Sequence, residues 1–158
     1  MSHLPSLGPR GVGWVLLQGI LLVLIAASAM VPPAWSGPAR IAGAIVGAGL
    51  LAVGAWMAVS GGRELGSALT PLPHPRDDAV LVETGIYGRV RHPIYGGLVV
   101  SSLGWALIWA SVPGLILTVV AWAFFTLKSM REEAWLVERF PGYPDYRARV
   151  PRLIPWRG

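Results

Sequence analysis

Four apolar runs constrain this chain more than any other feature. They cover about 12–31, 41–60, 93–110 and 112–127. A helix needs about 20 apolar residues to cross a bilayer, so each run is close to a span. The first run ends at Pro32-Pro33, which a helix does not cross easily. The second stops at Gly61-Gly62. Only Ser111 to Gly114 separate the last two, so these are expected to form a tight antiparallel hairpin. The predicted fold class is therefore all-α: an integral membrane protein of about four transmembrane helices, followed by a carboxyl-terminal segment outside the membrane.

Composition agrees. Of 158 residues, 54% are hydrophobic and 13% charged, where a soluble domain carries about 25% charged. The length suits a single domain, 1–158. Ala27-Ser28-Ala29 resembles a signal cleavage site, but the apolar run before it exceeds the roughly 7–15 residues of a signal core, so an anchor is expected. With the amino terminus cytoplasmic and four spans, 12 of the 13 basic residues fall on the cytoplasmic side and Arg40 alone falls outside. That asymmetry is the positive-inside pattern, and it places both termini in the cytoplasm. The net charge of +5 flanks membrane segments instead of forming a soluble patch, so no nucleic-acid partner is expected.

Several chemistries drop out. There is no cysteine, so disulfides, thiolate metal sites and a Cys nucleophile are excluded. The three histidines, at positions 3, 74 and 92, are too scattered for a metal site. No serine sits in a nucleophile-elbow context. Gly47-Ala48-Gly49 looks like a fragment of a nucleotide loop but lies inside a membrane helix with no strand before it. Gly43, Gly47, Gly54 and Ala58 form small-xxx-small pairs suited to close helix packing within the chain. The connection 61–89 is long and holds Pro71, Pro73, Pro75 and Asp77-Asp78, which suits a lid or binding loop.

Three stretches can carry chemistry. The first is Arg91-His92-Pro93-Ile94-Tyr95-Gly96-Gly97 at the start of the third run. An arginine deep in a bilayer costs about 2.5–3.5 kcal/mol even by insertion scales, so charge here calls for a partner. Pro93 fits the first helical position, which leaves His92 near the N-cap, where free N–H groups favour an anion. The glycines admit a ligand or a neighbouring helix. Arg89 is better placed as a headgroup anchor. The second stretch runs from Arg131 to Phe140 on a continuation of the fourth helix. Glu133 shares a face with Met130, Val137 and Phe140, whereas Glu132 shares one with Lys128 and Arg139 that reads as solvated. An acid on a packing face is either the partner of an arginine such as Arg91 or a ligand for a cation. The third stretch runs from Tyr143 to Trp156 and is dense in arginine and aromatics. Arg147 and Arg157 suit an anionic membrane surface. Arg149 and Arg152 flank the turn at Val150-Pro151, and either can face inward as a carboxylate clamp.

The order of these elements resembles the isoprenylcysteine carboxyl methyltransferase family, in particular its short prokaryotic members. The resemblance rests on Gly85-x-Tyr87-x-x-x-Arg91-His92-Pro93-x-Tyr95-x-Gly97, a hydrophobic hairpin, Glu132-Glu133-x-x-Leu136-x-x-x-Phe140-x-x-Tyr143-x-x-Tyr146, and Pro151-Arg152-x-Ile154-Pro155. It covers about 62–156, and the first two helices match only in kind. It implies a membrane methyltransferase using S-adenosylmethionine, with cofactor-binding elements at about 81–97 and 130–156. Tyr87, Arg91, His92, Tyr95, Gly97 and Glu133 become cofactor-side candidates. Tyr143, Tyr146, Arg149 and Arg152 become candidates for closing the pocket and positioning substrate, with Arg149, Arg152 and Glu133 closest to the chemistry. The implied partner is a lipophilic acceptor, prenylated or lipid-like, most simply a carboxylate, with a phospholipid amine also open, and no metal. The Ala, Gly, Pro and Arg bias points to a bacterial source and so to an inner membrane. Two other classes stay open: an NADPH-dependent membrane reductase of sterol-reductase type, and a non-catalytic membrane scaffold.

Overall fold

The computed structural model describes residues 5, 7–70, 72 and 80–155. Pro71, Pro73, Pro75, Asp77, Asp78, Trp156, Arg157 and the histidines at 3 and 74 lie outside the described residues. Among the described residues five α-helices carry the fold: α1 (Val12–Ala27), α2 (Gly37–Leu65), α3 (Pro93–Ile108), α4 (Val112–Arg139) and α5 (Tyr143–Arg149). No strand occurs among the described residues.

Helix ends follow local chemistry. α2, α3 and α4 each begin with a proline in the first turn, where its missing N–H costs nothing. Ser111 caps α4, its Oγ accepting from the Gly114 N–H at 3.1 Å, and this closes the expected hairpin with α3. The same hydroxyl donates to the Ser28 carbonyl at 2.9 Å, so Ser28 lies buried at the end of α1. Of Ala27-Ser28-Ala29, Ser28 is the residue packed within the fold.

α2 departs from the expected 41–60. It starts at Gly37 and passes through Gly61-Gly62 to Leu65. Gly61 does not stop the helix because its bare face is a contact: a Cβ there would lie 2.8 Å from Pro93 Cγ. The same logic runs along the whole α2–α3 seam. A Cβ at Gly47 would lie 2.6 Å from the Gly104 carbonyl, and one at Gly54 would lie 2.5 Å from the Gly97 carbonyl. The small-residue stripe therefore serves packing within the chain, with the two helices antiparallel.

Among the described residues three helices are long and apolar enough to cross a membrane: Val12–Met30, Gly37–Leu65 and Val112–Arg139. The expected span at 93–110 is the shorter apolar helix α3. Its 16 residues measure about 24 Å, less than a bilayer core of about 30 Å. The outward faces are apolar, as in Ile45 at 69% and Val119 at 70% exposure, which suits lipid and not water. This is a membrane protein. α4 runs 28 residues, about 42 Å, so its last turns project past the apolar run at 112–127.

The core joins Leu21 and Ile25 of α1, Val99 of α3, Ala121 and Phe125 of α4, and Leu153 beyond α5. α1 runs antiparallel to α4, from Trp14 beside Phe124 to Ser28 beside Ser111. The start of α1, the end of α2, the start of α3 and the projecting end of α4 consequently share one end of the bundle.

Candidate functional site

That shared end is built around Glu133. It is 1% exposed, and its carboxylate gathers three cationic or potentially cationic groups. Arg91 donates from Nε at 3.0 Å and pairs through NH2 at 2.9 Å. Arg152 donates from Nε at 3.3 Å and NH2 at 3.2 Å, and His92 Nε2 lies at 3.1 Å. Of the two sequence readings of this acid, the structure supports the arginine partner, and it adds Arg152 and His92. Arg91 also donates through NH1 to the carbonyls of Arg147, at 2.9 Å, and Val150. One guanidinium therefore ties α4 to α5. Such a buried cluster tolerates loss of a member poorly, because each charge depends on the others.

The start of α3 is covered. The N–H groups of Arg91 and His92 donate to the carbonyls of Pro151 and Arg152, each at 2.9 Å. A Cβ on Gly96 would run into the Leu153 carbonyl, and one on Gly97 into that of Gly54. These donors and glycines therefore meet protein, where an anionic ligand was one expectation. The reason is the tail: 150–153 lies against 91–96.

Two adjacent cavities flank this clamp. The inner one is lined by Leu65, Leu81, Val82, Leu136 and Phe140, with Tyr87, Tyr143 and Tyr146, and Arg91, His92 and Glu132 at its polar end. The described part of the 61–89 connection thus does line a cavity. The second opens toward α1 and α4, between Gln18, Leu69, Ile94, Tyr95 and Lys128. Leu65, Thr70, Tyr87, His92 and Glu132 belong to both walls.

The tyrosines are oriented by hydrogen bonds and stacking. Tyr95 donates to Glu132 Oε2 at 2.8 Å and stacks between His92 and Phe125. Tyr146 donates to the Tyr87 carbonyl at 2.8 Å. Burial pushes the hydroxyls of Tyr87, Tyr143 and Tyr146 well above the ordinary phenol range, so they stay protonated donors. The Tyr143 hydroxyl is buried with no partner among the described residues, and its side chain lines the inner cavity. An unpaired buried hydroxyl is costly, and it marks a place where a ligand can complete the site.

The other expected arginine faces away. Arg149 is 66% exposed at its side chain and pairs with Glu83 at 3.0 Å. α5 is a seven-residue helix whose inward face is Tyr143, Tyr146 and, just beyond it, Val150, and this turns Arg149 outward. Arg152 points inward, but onto Glu133 on the far side of the clamp from the two cavities.

Sequence reasoning missed Glu132, Lys128 and Gln18. The i, i+4 pair Lys128 and Glu132 was placed on a solvated face, yet Lys128 is 1% exposed. Periodicity gives a face and not its cover, and the cover here is α1, which brings Gln18 to Lys128 Nζ at 2.5 Å. A polar glutamine within the first apolar run was the available signal.

Comparison with known proteins bears on this arrangement. A family model described as "Phospholipid methyltransferase" matches residues 42–142. Protein-S-isoprenylcysteine O-methyltransferase of Schizosaccharomyces pombe is 41% identical over 80 residues, covering 49% of this chain and 34% of that protein. The protein of the same name from Dictyostelium discoideum is 38% identical over 82 residues, 51% of this chain and 35% of that one. The human one is 32% identical over 82 residues, 51% and 29%. The chain thus spans about a third of the length of these curated relatives. These matches name methyltransferases and give the reductase alternative no support.

Proposed function

The chain belongs to the phospholipid methyltransferase family, and on that premise we propose that it is a membrane enzyme that moves the methyl group of S-adenosylmethionine to the carboxylate of a lipophilic acceptor. The observation that carries this reading is the pair of cavities that share His92 and Glu132. One wall suits a nucleoside with an amino-acid tail, and the other suits a lipid.

The residues fit the cofactor. A purine needs apolar and aromatic walls, supplied by Leu65, Leu136, Phe140 and Tyr143. An ammonium needs an acid, and Glu132 offers one on the cavity wall. A carboxylate needs donors, and the unpaired Tyr143 hydroxyl is one. Tyr87, Tyr146 and Tyr95 line or brace the site. Arg91, His92, Glu133 and Arg152 act as positioning residues that hold α3, α4 and the tail in register. Gly97 contributes by letting α2 approach α3. The cofactor elements are then about 81–97 and 130–156 within one membrane-embedded unit, 1–158.

When bound, S-adenosylmethionine supplies a methyl group on a positively charged sulfur, open to in-line attack. A carboxyl group has a reference pKa of about 3.3–3.7, so the acceptor is already a nucleophile at neutral pH. The protein need not remove a proton. It must orient two reactants and exclude water, and orientation alone supplies roughly 7–11 kcal/mol of barrier reduction in favourable cases. Glu132 sits where the two cavities meet and presents negative charge to the cationic centre. The relatives' name gives prenylcysteine as their acceptor type, and a prenylated or otherwise lipid-like acid suits the apolar second cavity here. The positive-inside pattern and the composition support a bacterial inner membrane, with both termini and the site cytoplasmic.

Calorimetric titration of S-adenosylmethionine, its demethylated product and NADPH into the detergent-solubilised protein tests the reading. Binding of the first two is expected, weakened at least tenfold by Glu132→Gln. Binding of NADPH alone would assign a reductase, and binding of none by folded protein would assign a scaffold.

A further inference from the structure

The side of α4 that faces away from the cofactor cavities carries two cavities of its own. Trp122, Thr126, Met130, Ala134 and Glu138 recur at every fourth position, so they form one row along the helix. The cavity nearer the bilayer centre lies between Trp122 and Thr126 and the tail residues Pro151, Leu153 and Ile154. The outer cavity lies against Met130, Ala134 and Val137, with Arg131, Arg147 and Glu138. Arg152 stands on the wall of both.

The chemistry grades along the row. Thr126 donates its hydroxyl to the Trp122 carbonyl at 2.7 Å, so it asks nothing of a ligand. Trp122, Met130 and Val137 are exposed apolar side chains, which suits lipid. The apolar run of α4 ends near 127, and Arg131 follows about 6 Å further along the axis, at headgroup depth. We propose that the two cavities seat one anionic phospholipid. Its phosphate lies among Arg131, Arg147 and Arg152, and an acyl chain lies against Trp122, Leu153 and Ile154.

The charges on the walls favour that occupant. Arg131 stacks over Trp135, with its guanidinium carbon 4.2 Å from the ring centre. Stacking occupies the face of the guanidinium and leaves its edge to hydrogen-bond. Its Nε is buried without a partner, and no ion pair joins Arg131 or Arg147 to an acid among the described residues. Arg152 meets Glu133 through two of its three guanidinium nitrogens, which leaves the third for another anion. Two acids share the outer wall. Glu133 is already matched by Arg91, His92 and Arg152, and Glu138 is exposed and stands alone against three guanidinium groups. Guanidinium binds phosphate in bidentate fashion, and basic pockets beside membrane helices select anionic headgroups. A zwitterionic lipid brings the same phosphate with an ammonium, which the three arginines repel.

The site lies across the clamp from the cavities proposed for cofactor and acceptor, so this lipid is a resident partner and not the methyl acceptor. Its phosphate would hold Arg152, and with it the tail, from the side opposite Glu133.

The test is native mass spectrometry of the full chain released from neutral detergent, titrated with phosphatidylglycerol or with phosphatidylcholine. The wild type is expected to retain one phosphatidylglycerol with at least a tenfold preference over phosphatidylcholine. Arg131→Gln combined with Arg147→Gln should abolish that preference. Arg147 is exposed, so Arg147→Gln alone should fold and reduce the preference severalfold, which keeps the test open should the double variant not fold. Trp122→Ala should weaken retention of both lipids, because it removes a chain contact. Inorganic phosphate at the same concentration should not displace the lipid. Equal retention of the two lipids by the wild type, a preference that survives in the folded variants, displacement by inorganic phosphate, or a dimer of the chain that excludes lipid would overturn the proposal.

Discussion

Glu132 and Glu133 are adjacent in sequence and opposite in task. Glu133 faces the clamp, and Glu132 faces the cavities. Removing one partner of a buried charge pair typically costs about 3–5 kcal/mol, because the remaining charge stays buried and unpaired. Glu133→Gln is therefore expected to destabilise the protein by about that amount in denaturant unfolding, with faster proteolysis between α4 and α5. Glu132→Gln, which keeps an acceptor for Tyr95, should change stability much less while weakening cofactor binding. Equal effects on stability would contradict the division. Tyr143 gives a prediction of opposite sign for fold and function. Its hydroxyl is buried and unpaired, so Tyr143→Phe should leave the unliganded protein as stable or more stable. The lost hydrogen bond to the ligand, about 0.5–1.5 kcal/mol, should weaken S-adenosylmethionine binding roughly 2- to 13-fold. Thermal unfolding and calorimetry on the same samples check both signs.

Among the elements, the α2–α3 pair shows how far a sequence reads. The stripe Gly43, Gly47, Gly54 and Ala58 was legible as a packing face, and it packs on α3. The end of α2 was not, because Gly61-Gly62 looks like a breaker until Pro93 is known to lie against it. Helix propensity is local, and the contact that overrides it comes from far along the chain. The start of α3 misled for a related reason. Its N-terminus suited an anion, but the tail reached the residues just before it, where Pro151 and Arg152 accept from the Arg91 and His92 N–H groups. A glycine pair tests the seam. Gly49 has open space around it and Gly54 has none. Gly49→Ala should stabilise α2 by about 0.4–1 kcal/mol through lower unfolded-state entropy. Gly54→Ala should destabilise by about 1–3 kcal/mol, since a Cβ there overpacks against Gly97 and Ser101. Unfolding in detergent micelles orders the three proteins, and a neutral Gly54→Ala would argue against a tight seam.

At the scale of the whole molecule, hydropathy and charge made the architecture legible: apolar helices, a hairpin, and a basic end where the central connection meets the tail. The clamp was half legible, because Glu133 stood out as an acid on a packing face with Arg91 as a named partner. Arg152 joined it through the path of the tail, and His92 from its place beside Arg91. The wall of the second cavity formed by Gln18 and Lys128 was not legible. Gln18 lies in the first apolar run, 110 positions from Lys128, and nothing local announces their meeting. Family membership speaks for methyl transfer. The most direct measurement supplies S-adenosylmethionine carrying a tritiated methyl group, with N-acetyl-S-farnesylcysteine as acceptor, and treats the product with mild alkali. An ester releases its methyl group as volatile methanol, and an N-methyl group does not. The account predicts label in the prenylated product that becomes volatile with alkali. Alkali-stable label, or no label although the cofactor binds, would contradict it.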